Sequence, residues 1–210
     1  MEDAQNNQAS ISELQESDMT VVEPKLPKLL LASSSPRRSE ILRIVGWPFE
    51  TVPVEIDESL KNGESPETYV ERLALAKAQD AAVRHRNGLI LAADTTVVAD
   101  ERILAKPTHD SDAREMLRTL QGRWHQVLTG VALVSNQSSR VAHETTEVRF
   151  AAMSDDEIAW YVATGEPMDK AGGYAIQGLG ARFIKEIKGD YFNVMGLPVR
   201  LVYELAGVRG

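Results

Sequence analysis

One stretch of the sequence indicates the fold: Leu30-Leu31-Ala32-Ser33-Ser34-Ser35-Pro36-Arg37-Arg38-Ser39-Glu40-Ile41-Leu42. It begins with apolar residues and becomes polar at Ser33. Its apolar start predicts a buried strand over 28–32, and the pattern after Pro36 predicts a helix over 36–45 that stops at Gly46. Ser35 suits the N-cap, and Pro36 suits the first helical turn, where its missing N–H costs nothing. A helix that begins directly after a strand points its unpaired N–H groups and positive dipole end over the sheet. The stretch therefore indicates an α/β fold with an anion site at this junction.

Three serines and two arginines occupy the junction. Each guanidinium group of Arg37 and Arg38 can donate two parallel hydrogen bonds to phosphate oxygens, and Ser33 adds a hydroxyl. The stretch is not a Walker loop, because it lacks the glycines and the Lys-Ser/Thr pair of that motif. We interpret it as a polyphosphate site. Spacing alone also allows a capped surface helix with two solvated arginines.

Charge and composition limit the class of protein. The chain has 210 residues, a net charge of −8 and no cysteine. Residues 1–27 hold six acidic residues and one lysine, so the remainder carries only −3 and has no basic stripe for nucleic acid. No secretory or transit signal and no membrane-spanning apolar stretch is present. We predict a flexible acidic tail over 1–27, with a short helix over 11–14 as an alternative, and one folded domain over 28–210 of a cytoplasmic protein.

The pattern of apolar residues predicts alternating strands and helices in the first half and an antiparallel pair in the second. Predicted strands cover 28–32, 49–54, 89–93 with 97–99, 103–104, 127–135, 141–150 and 183–187. Predicted helices cover 36–45, 66–83, 111–120, 155–163 and 198–205. This order predicts a mixed, mostly α/β sheet with helices on both faces.

Two acidic residues follow predicted strands. Asp94 comes after five apolar residues, at the carboxyl end of a buried strand, where open α/β sheets bind ligands. A carboxylate there is costly to bury unless it is paired or metal-bound, although Asp also initiates turns. Glu58 follows the second strand. Together with phosphate oxygens, the two carboxylates suit Mg²⁺ or Mn²⁺.

Lysines and a glycine-rich segment supply further candidates. Lys77 lies among alanines on a predicted helix, either directed into a site or extended along the helix surface to solvent. Lys106 precedes Pro107 at a strand end and is either a phosphate contact or a turn lysine. Residues 169–180 contain four glycines, which allow close approach of the backbone to a ligand. Within them, Gln177 offers a donor and an acceptor to a nucleobase edge.

The order of these motifs resembles the Maf family of nucleoside triphosphate pyrophosphatases over residues 28–206. The matching motifs are Ser33-x-Ser35-Pro36-Arg37-Arg38, Ile56-Asp57-Glu58, Lys77, Ala93-Asp94-Thr95, Lys106-Pro107, Thr129-Gly130-Val131 and Asp169-Lys170-Ala171-Gly172-Gly173-Tyr174-x-Ile176-Gln177-Gly178. The resemblance implies an elongated mixed sheet of the inosine-triphosphatase-like group, with a cleft between two lobes. It also implies a homodimer and hydrolysis between the α- and β-phosphates.

The resemblance further implies a substrate. The branch of the family that acts on dTTP and UTP is expected to have Arg, Thr and Gln where this chain has Arg37, Thr95 and Gln177. We therefore expect Thr95 and Gln177 to contact the base, and Ser33, Arg37 and Arg38 to bind the phosphates.

For the reaction we expect a divalent cation, Mg²⁺ or Mn²⁺, at Asp94 and Glu58. Asp94 then serves as general base or metal ligand, and Lys77 and Lys106 neutralise developing charge. Two alternatives are a pyrophosphatase for modified nucleotides such as 7-methyl-GTP, and a nucleotide-binding regulator of cell division without turnover.

Overall fold

The computed structural model describes residues 25–207. Its strands and helices are β1 (Leu29–Ala32), α1 (Pro36–Ile44), β2 (Phe49–Val52), α2 (Pro66–Arg84), β3 (Leu89–Ala99), β4 (Arg102–Leu104), α3 (Asp110–Leu120), β5 (Trp124–Val134), β6 (Ser139–Phe150), α4 (Asp155–Ala163), β7 (Ile184–Lys188), α5 (Tyr191–Met195) and α6 (Val199–Leu205). Three short 3₁₀ turns, Glu166–Asp169, Ala171–Gly173 and Leu179–Phe183, lie between α4 and β7. Within this range no helix combines the length and the apolar character that a bilayer crossing requires.

The predicted acidic tail and its alternative short helix fall on residues 1–24, outside the described range. The residues next to them contact the folded domain. Leu26 packs against the core around β1, and the indole N–H of Trp47 donates to the carbonyl of Pro27 at 2.9 Å.

The sheet has seven strands in the order β2-β1-β3-β5-β6-β7, with β4 paired to β3. β1 pairs in parallel with β2 and β3, and every other pairing is antiparallel. The prediction of an α/β fold with a mixed sheet is therefore confirmed. Three predicted boundaries shift by two or more residues: β2 ends at Val52 instead of residue 54, β5 begins at Trp124 instead of residue 127, and β6 begins at Ser139 instead of residue 141.

Helices cover both faces of the sheet, as predicted. Leu29 and Leu31 pack with α1, α5 and α6, whereas Ala32 packs with α2. Because side chains alternate along a strand, these clusters lie on opposite faces. α2 approaches closely: a Cβ added to Gly130 of β5 would lie 2.3 Å from the carbonyl oxygen of Val70. The height of α2 above the sheet is therefore set by backbone contact.

The core is divided along the length of the strands. One cluster gathers α3 and α4 with the end of β3, the start of β5 and the end of β6, and two others gather α1, α2 and α6 with the start of β3 and the end of β5. A fourth places the start of α2 against Val98 and Leu128. β3, β5 and β6 run through both regions. The sheet is therefore elongated, and the cleft described below opens between the two regions, as the resemblance implied.

β3 differs from its prediction, and the difference creates the site. It is one continuous strand of 11 residues, so Asp94 lies at its middle and not at its carboxyl end. β1 pairs with residues 89–91 and β4 with residues 97–99 of the same strand. Between these pairings, residues 92–96 have no strand partner on that edge within the described range. Asp94 therefore stands beyond the end of β1, at a gap in the sheet, and a turn-forming role for Asp94 is excluded.

Candidate active site

A cleft of about 490 Å³ opens at the gap beside β3. Its walls come from the β1–α1 junction, the loop after β2, α2, β3, the segment after β4 and the glycine-rich segment. All nine residues proposed from the sequence line it: Ser33, Arg37, Arg38, Glu58, Lys77, Asp94, Thr95, Lys106 and Gln177. The structure therefore brings into one cavity residues that are up to 144 positions apart in the chain.

Lys77 links two carboxylates at the centre of the cleft. Its ammonium lies 2.6 Å from Oδ1 of Asp94 and 2.6 Å from Oε1 of Glu58. Lys77 and Asp94 are buried, whereas half of the Glu58 side chain faces solvent. Burial alone would raise the pKa of Glu58, but the hydrogen bond and charge of Lys77 outweigh it and hold that pKa below its usual value. Each contact uses one oxygen of a carboxylate, which leaves the second oxygen for a further ligand.

Tyr69 completes this part of the wall. Its hydroxyl donates to the carbonyl of Glu58 at 3.0 Å and so fixes the loop that follows β2. Burial, together with the negative charges of Asp94 and Glu58, raises the pKa of Tyr69 to about 12. Tyr69 lies within the helix predicted over 66–83, but the sequence analysis gave it no role at the site.

The carboxylates fit a metal that arrives with a phosphate ligand. Within residues 25–207 no group of three or more His, Cys, Asp or Glu side chains is arranged to hold a metal ion. Mg²⁺, however, is commonly bound by one or two carboxylates together with waters and substrate phosphates. Asp94 and Glu58 provide two carboxylates that contact one lysine, so both face the same part of the cleft.

Arg38 is buried and bonded to neutral oxygens. It donates to the carbonyl of Gly196 at 2.8 Å, to Ser33 Oγ at 3.1 Å and to Thr95 Oγ1 at 3.2 Å. Burial lowers its pKa, and the nearby charge of Asp94 partly opposes that shift. Three of its five N–H groups are engaged, which leaves two for an anion. Ser33 also accepts from the backbone N–H of Ser35, so Ser33, and not the predicted Ser35 side chain, supports the start of α1.

Arg37 reaches across the cleft to the glycine-rich segment. It forms a 3.1 Å ion pair with Asp169, whose carboxylate also contacts Lys170. Burial of Asp169 opposes ionisation, but Lys170 and Arg37 lower its pKa. Asp169 was quoted from the sequence only as the start of the glycine-rich motif. A partner 132 residues away leaves no local signal for the contact.

Glu166 organises the segment that carries Gln177. Its carboxylate accepts from the hydroxyl of Tyr161 at 2.7 Å and from the backbone N–H groups of Leu179 and Gly180 at 2.8 and 3.0 Å. Gly178 lies against it, since an added Cβ would meet the carboxylate at 2.4 Å. The segment is therefore a fixed support on which Gln177 is exposed at the mouth of the cleft.

Asp94 and Thr95 point to opposite sides of β3. Asp94 contacts Lys77 on the α2 face, whereas Thr95 contacts Arg38 and lies 3.5 Å from the carbonyl of Gly196 on the other face. Both side chains remain in the cleft because no strand covers this part of the β3 edge. A ligand in the cleft can thus be held on both sides of one strand.

Comparison with known proteins identifies the family. The chain belongs to the Maf family, whose model, described as Maf-like protein, matches residues 28–207. It is 53% identical to a dTTP/UTP pyrophosphatase of Symbiobacterium thermophilum, over 86% of this chain and 93% of that protein. It is 49% identical to a dTTP/UTP pyrophosphatase of Bacillus mycoides, over 85% of this chain and 94% of that protein.

Solved structures similar to this chain are more distant. A nucleoside-triphosphatase, dITP/XTP pyrophosphatase, of Mycobacterium abscessus gives a TM-score of 0.46 at 17% identity, over 87% of this chain and 98% of that one. The Staphylococcus aureus Ham1 protein gives a TM-score of 0.45 at 14% identity, over 75% and 79% of the two chains.

Proposed function

We propose that this protein hydrolyses UTP and dTTP between the α- and β-phosphates, giving the nucleoside monophosphate and pyrophosphate. The observation that carries the proposal is Lys77, held 2.6 Å from both Asp94 and Glu58 in a cleft whose opposite wall is the arginine-bearing start of α1. Membership of the Maf family and relatives named dTTP/UTP pyrophosphatase support this assignment.

The phosphates bind at the β1–α1 junction. The first turn of α1 presents unpaired backbone N–H groups and its positive dipole end, and Arg37 and Arg38 add guanidinium charge. Ser33 lies beside Arg38 and lines the same wall. Lys106, exposed after β4, lines the same cleft and neutralises charge on the departing pyrophosphate.

The chemical step is attack of water on the α-phosphorus. Asp94 accepts a proton from the water as the new P–O bond forms, and the bond to the bridging oxygen breaks so that pyrophosphate leaves with that electron pair. Lys77 fixes the direction of the Asp94 carboxylate through the 2.6 Å contact. Glu58 contributes the second carboxylate at the mouth of the cleft.

Asp94 and Glu58 are also the residues that would hold Mg²⁺ or Mn²⁺ carried by the triphosphate. Such an ion supplies Lewis-acid stabilisation of the phosphate oxygens and lowers the pKa of a bound water. The shared position of the two carboxylates around Lys77 supports this part of the proposal.

The base is held by Thr95 and Gln177 on the other side of β3. Gln177 offers a side-chain N–H donor, which matches a carbonyl of uracil and thymine. The fixed backbone around Glu166 supports a defined position for Gln177.

The remaining predictions complete this proposal. We propose that residues 28–210 form the catalytic domain and that the protein acts on free nucleotides in the cytoplasm as a homodimer. Analytical ultracentrifugation tests the dimer directly.

A product assay tests the activity. Purified protein is incubated with UTP, dTTP, CTP, GTP, ATP and 7-methyl-GTP, with Mg²⁺, with Mn²⁺ and with EDTA, and pyrophosphate and monophosphate are quantified. UTP and dTTP should give equal amounts of both products and lose turnover in EDTA. A preference for 7-methyl-GTP supports the modified-nucleotide alternative, and binding without product supports a regulator.

Asp94→Asn tests the assignment of the reacting centre. The substitution keeps the shape of the side chain and removes its charge, and loss of a general base costs about 10²- to 10⁴-fold in rate. Asp155→Asn is the matched control, since Asp155 is exposed, is paired with Arg118 and does not line the cleft. Turnover of Asp94→Asn close to that of the control contradicts the assignment.

A further inference from the structure

A buried line of hydrogen bonds runs behind Thr95, away from the cleft. Thr95 and Thr129 lie directly opposite each other on β3 and β5, and their Oγ1 atoms are 3.0 Å apart. Thr129 is fully buried and donates its hydroxyl hydrogen to the carbonyl of Asn193 at 3.1 Å. Asn193 belongs to α5, the short helix that the sequence analysis did not predict.

These distances favour one direction for the Thr95 hydroxyl hydrogen. A threonine has one hydrogen to donate, and Thr129 gives its own to Asn193. Thr95 must then donate to Thr129. The reverse arrangement would leave the Asn193 carbonyl, at 3.1 Å, without the Thr129 hydrogen, and would send the Thr95 hydrogen to the more distant carbonyl of Gly196, at 3.5 Å, or into the cleft.

The oxygen of Thr95 is therefore left as an acceptor only. One of its two lone pairs receives an N–H of Arg38 at 3.2 Å. The other lone pair remains for a ligand in the cleft that Thr95 lines. Phosphate oxygens are themselves acceptors, so this group does not suit the triphosphate and suits a ligand N–H instead.

We propose that Thr129 is a positioning residue for base selection: by taking the hydroxyl hydrogen of Thr95, it makes Thr95 an obligate acceptor for the ring N–H of uracil and thymine. This inference rests on the proposed function, since it names how the same cleft distinguishes its substrates. Cytosine has a lone pair in place of that ring hydrogen, so CTP places an acceptor against an acceptor. Thr129 touches no substrate and acts only through Thr95.

Thr129→Val tests the inference, because valine keeps the volume of threonine and removes its hydroxyl. Without Thr129 as acceptor, the Thr95 hydrogen is free to turn towards the cleft and donate to cytosine. The ratio of kcat/KM for UTP to that for CTP should fall about 3- to 10-fold, the effect of one hydrogen bond. Thr129→Ser retains the hydroxyl and should keep the wild-type ratio. Thr129→Ala, which also removes the hydroxyl, is measured if the valine variant does not fold.

Thr146→Val is the matched control. Thr146 is equally buried, and its hydroxyl oxygen accepts from the side-chain nitrogen of Asn193 at 3.0 Å. Thr146 lies on β6, however, and its hydroxyl donates to the backbone carbonyl of Asp190 and does not contact Thr95. Its substitution should leave the UTP to CTP ratio unchanged. An equal fall of the ratio in Thr146→Val shows general loosening around α5 and overturns the proposal.

Further outcomes distinguish failure of this inference from failure of the proposed function. An unchanged ratio in Thr129→Val, or an equal loss for UTP and CTP, overturns the proposal and leaves the proposed activity intact. A changed ratio of UTP to 3′-deoxy-UTP, with the UTP to CTP ratio constant, assigns the acceptor to the sugar and also overturns it. Wild-type protein that releases no pyrophosphate from UTP or dTTP refutes the proposed function itself.

Discussion

His125 should make the stability of this protein fall steeply in mildly acidic solution. Its ring is 3% exposed, lies at right angles to Phe150 and contacts the hydroxyl of Tyr174 through Nε2 at 2.8 Å. Its Nδ1 is buried and has no hydrogen-bond partner within the described residues. Burial lowers the pKa of His125 to about 4.

The magnitude follows from the pKa values of the two states. In the unfolded chain the pKa of histidine is about 6.5, so below that pH the unfolded state binds a proton that the folded state rejects. The contribution of the neutral His125 ring to stability is therefore fully present above pH ~6.5 and is lost as the pH falls towards 4. Between pH 7 and pH 5 the free energy of unfolding should drop by about 2 kcal/mol from this group.

Urea unfolding at pH 7, 6 and 5 measures the effect. His125→Gln removes the buried titrating ring, and its unfolding free energy should depend less on pH than that of the wild type, even if it is lower throughout. His109→Gln, at an exposed site, should retain the wild-type dependence. If His125→Gln loses stability between pH 7 and pH 5 as steeply as the wild type, the buried neutral imidazole is not the cause.

Three other changes should give separable results. Gly130→Ala should destabilise the fold by about 1–3 kcal/mol and lower kcat, because its Cβ meets the backbone of α2 at 2.3 Å and displaces Lys77; unchanged urea midpoint and kcat would contradict this close approach. Gln177→Glu should lower kcat/KM for UTP and dTTP by about 10- to 100-fold, more than for 7-methyl-GTP, because glutamate faces the base carbonyl with an acceptor; equal losses would show that Gln177 only supports its loop. Deletion of residues 1–24 should leave turnover nearly unchanged, and a loss above about tenfold would show that these residues contact the active region.

Local chemistry made much of the fold predictable. Ser35 and Pro36 mark the start of α1 because the constraints on a helix N-terminus act within a few residues. Long apolar runs likewise predicted β1, β3 and the β5–β6 pair. α5 was not predicted, since five residues after Gly189-Asp190 are too few to show a helical period.

The site was predictable as a set of residues but not as an arrangement. Lys77, Asp94 and Glu58 could be named because each is an unusual charge in an apolar or strand-end context. Their contact, the ion pair of Arg37 with Asp169 and the role of Thr129 depend on strand register and on where β1 ends. Those are properties of the assembled sheet, and no window of sequence contains them.

The position of Asp94 and Thr95 as consecutive residues has a kinetic consequence. In the proposed function, one peptide unit joins the group that meets the reacting phosphate to the group that meets the base, and both residues belong to the central part of β3 that pairs with β5. The strand offers no hinge by which one contact could adjust to a misfit at the other. A base that sits badly against Thr95 therefore displaces the α-phosphate from Asp94, and a displacement of about 1 Å can cost roughly 100-fold in rate. Discrimination among nucleotides should thus appear in the maximal rate at saturation, and not only in the concentration needed to reach it.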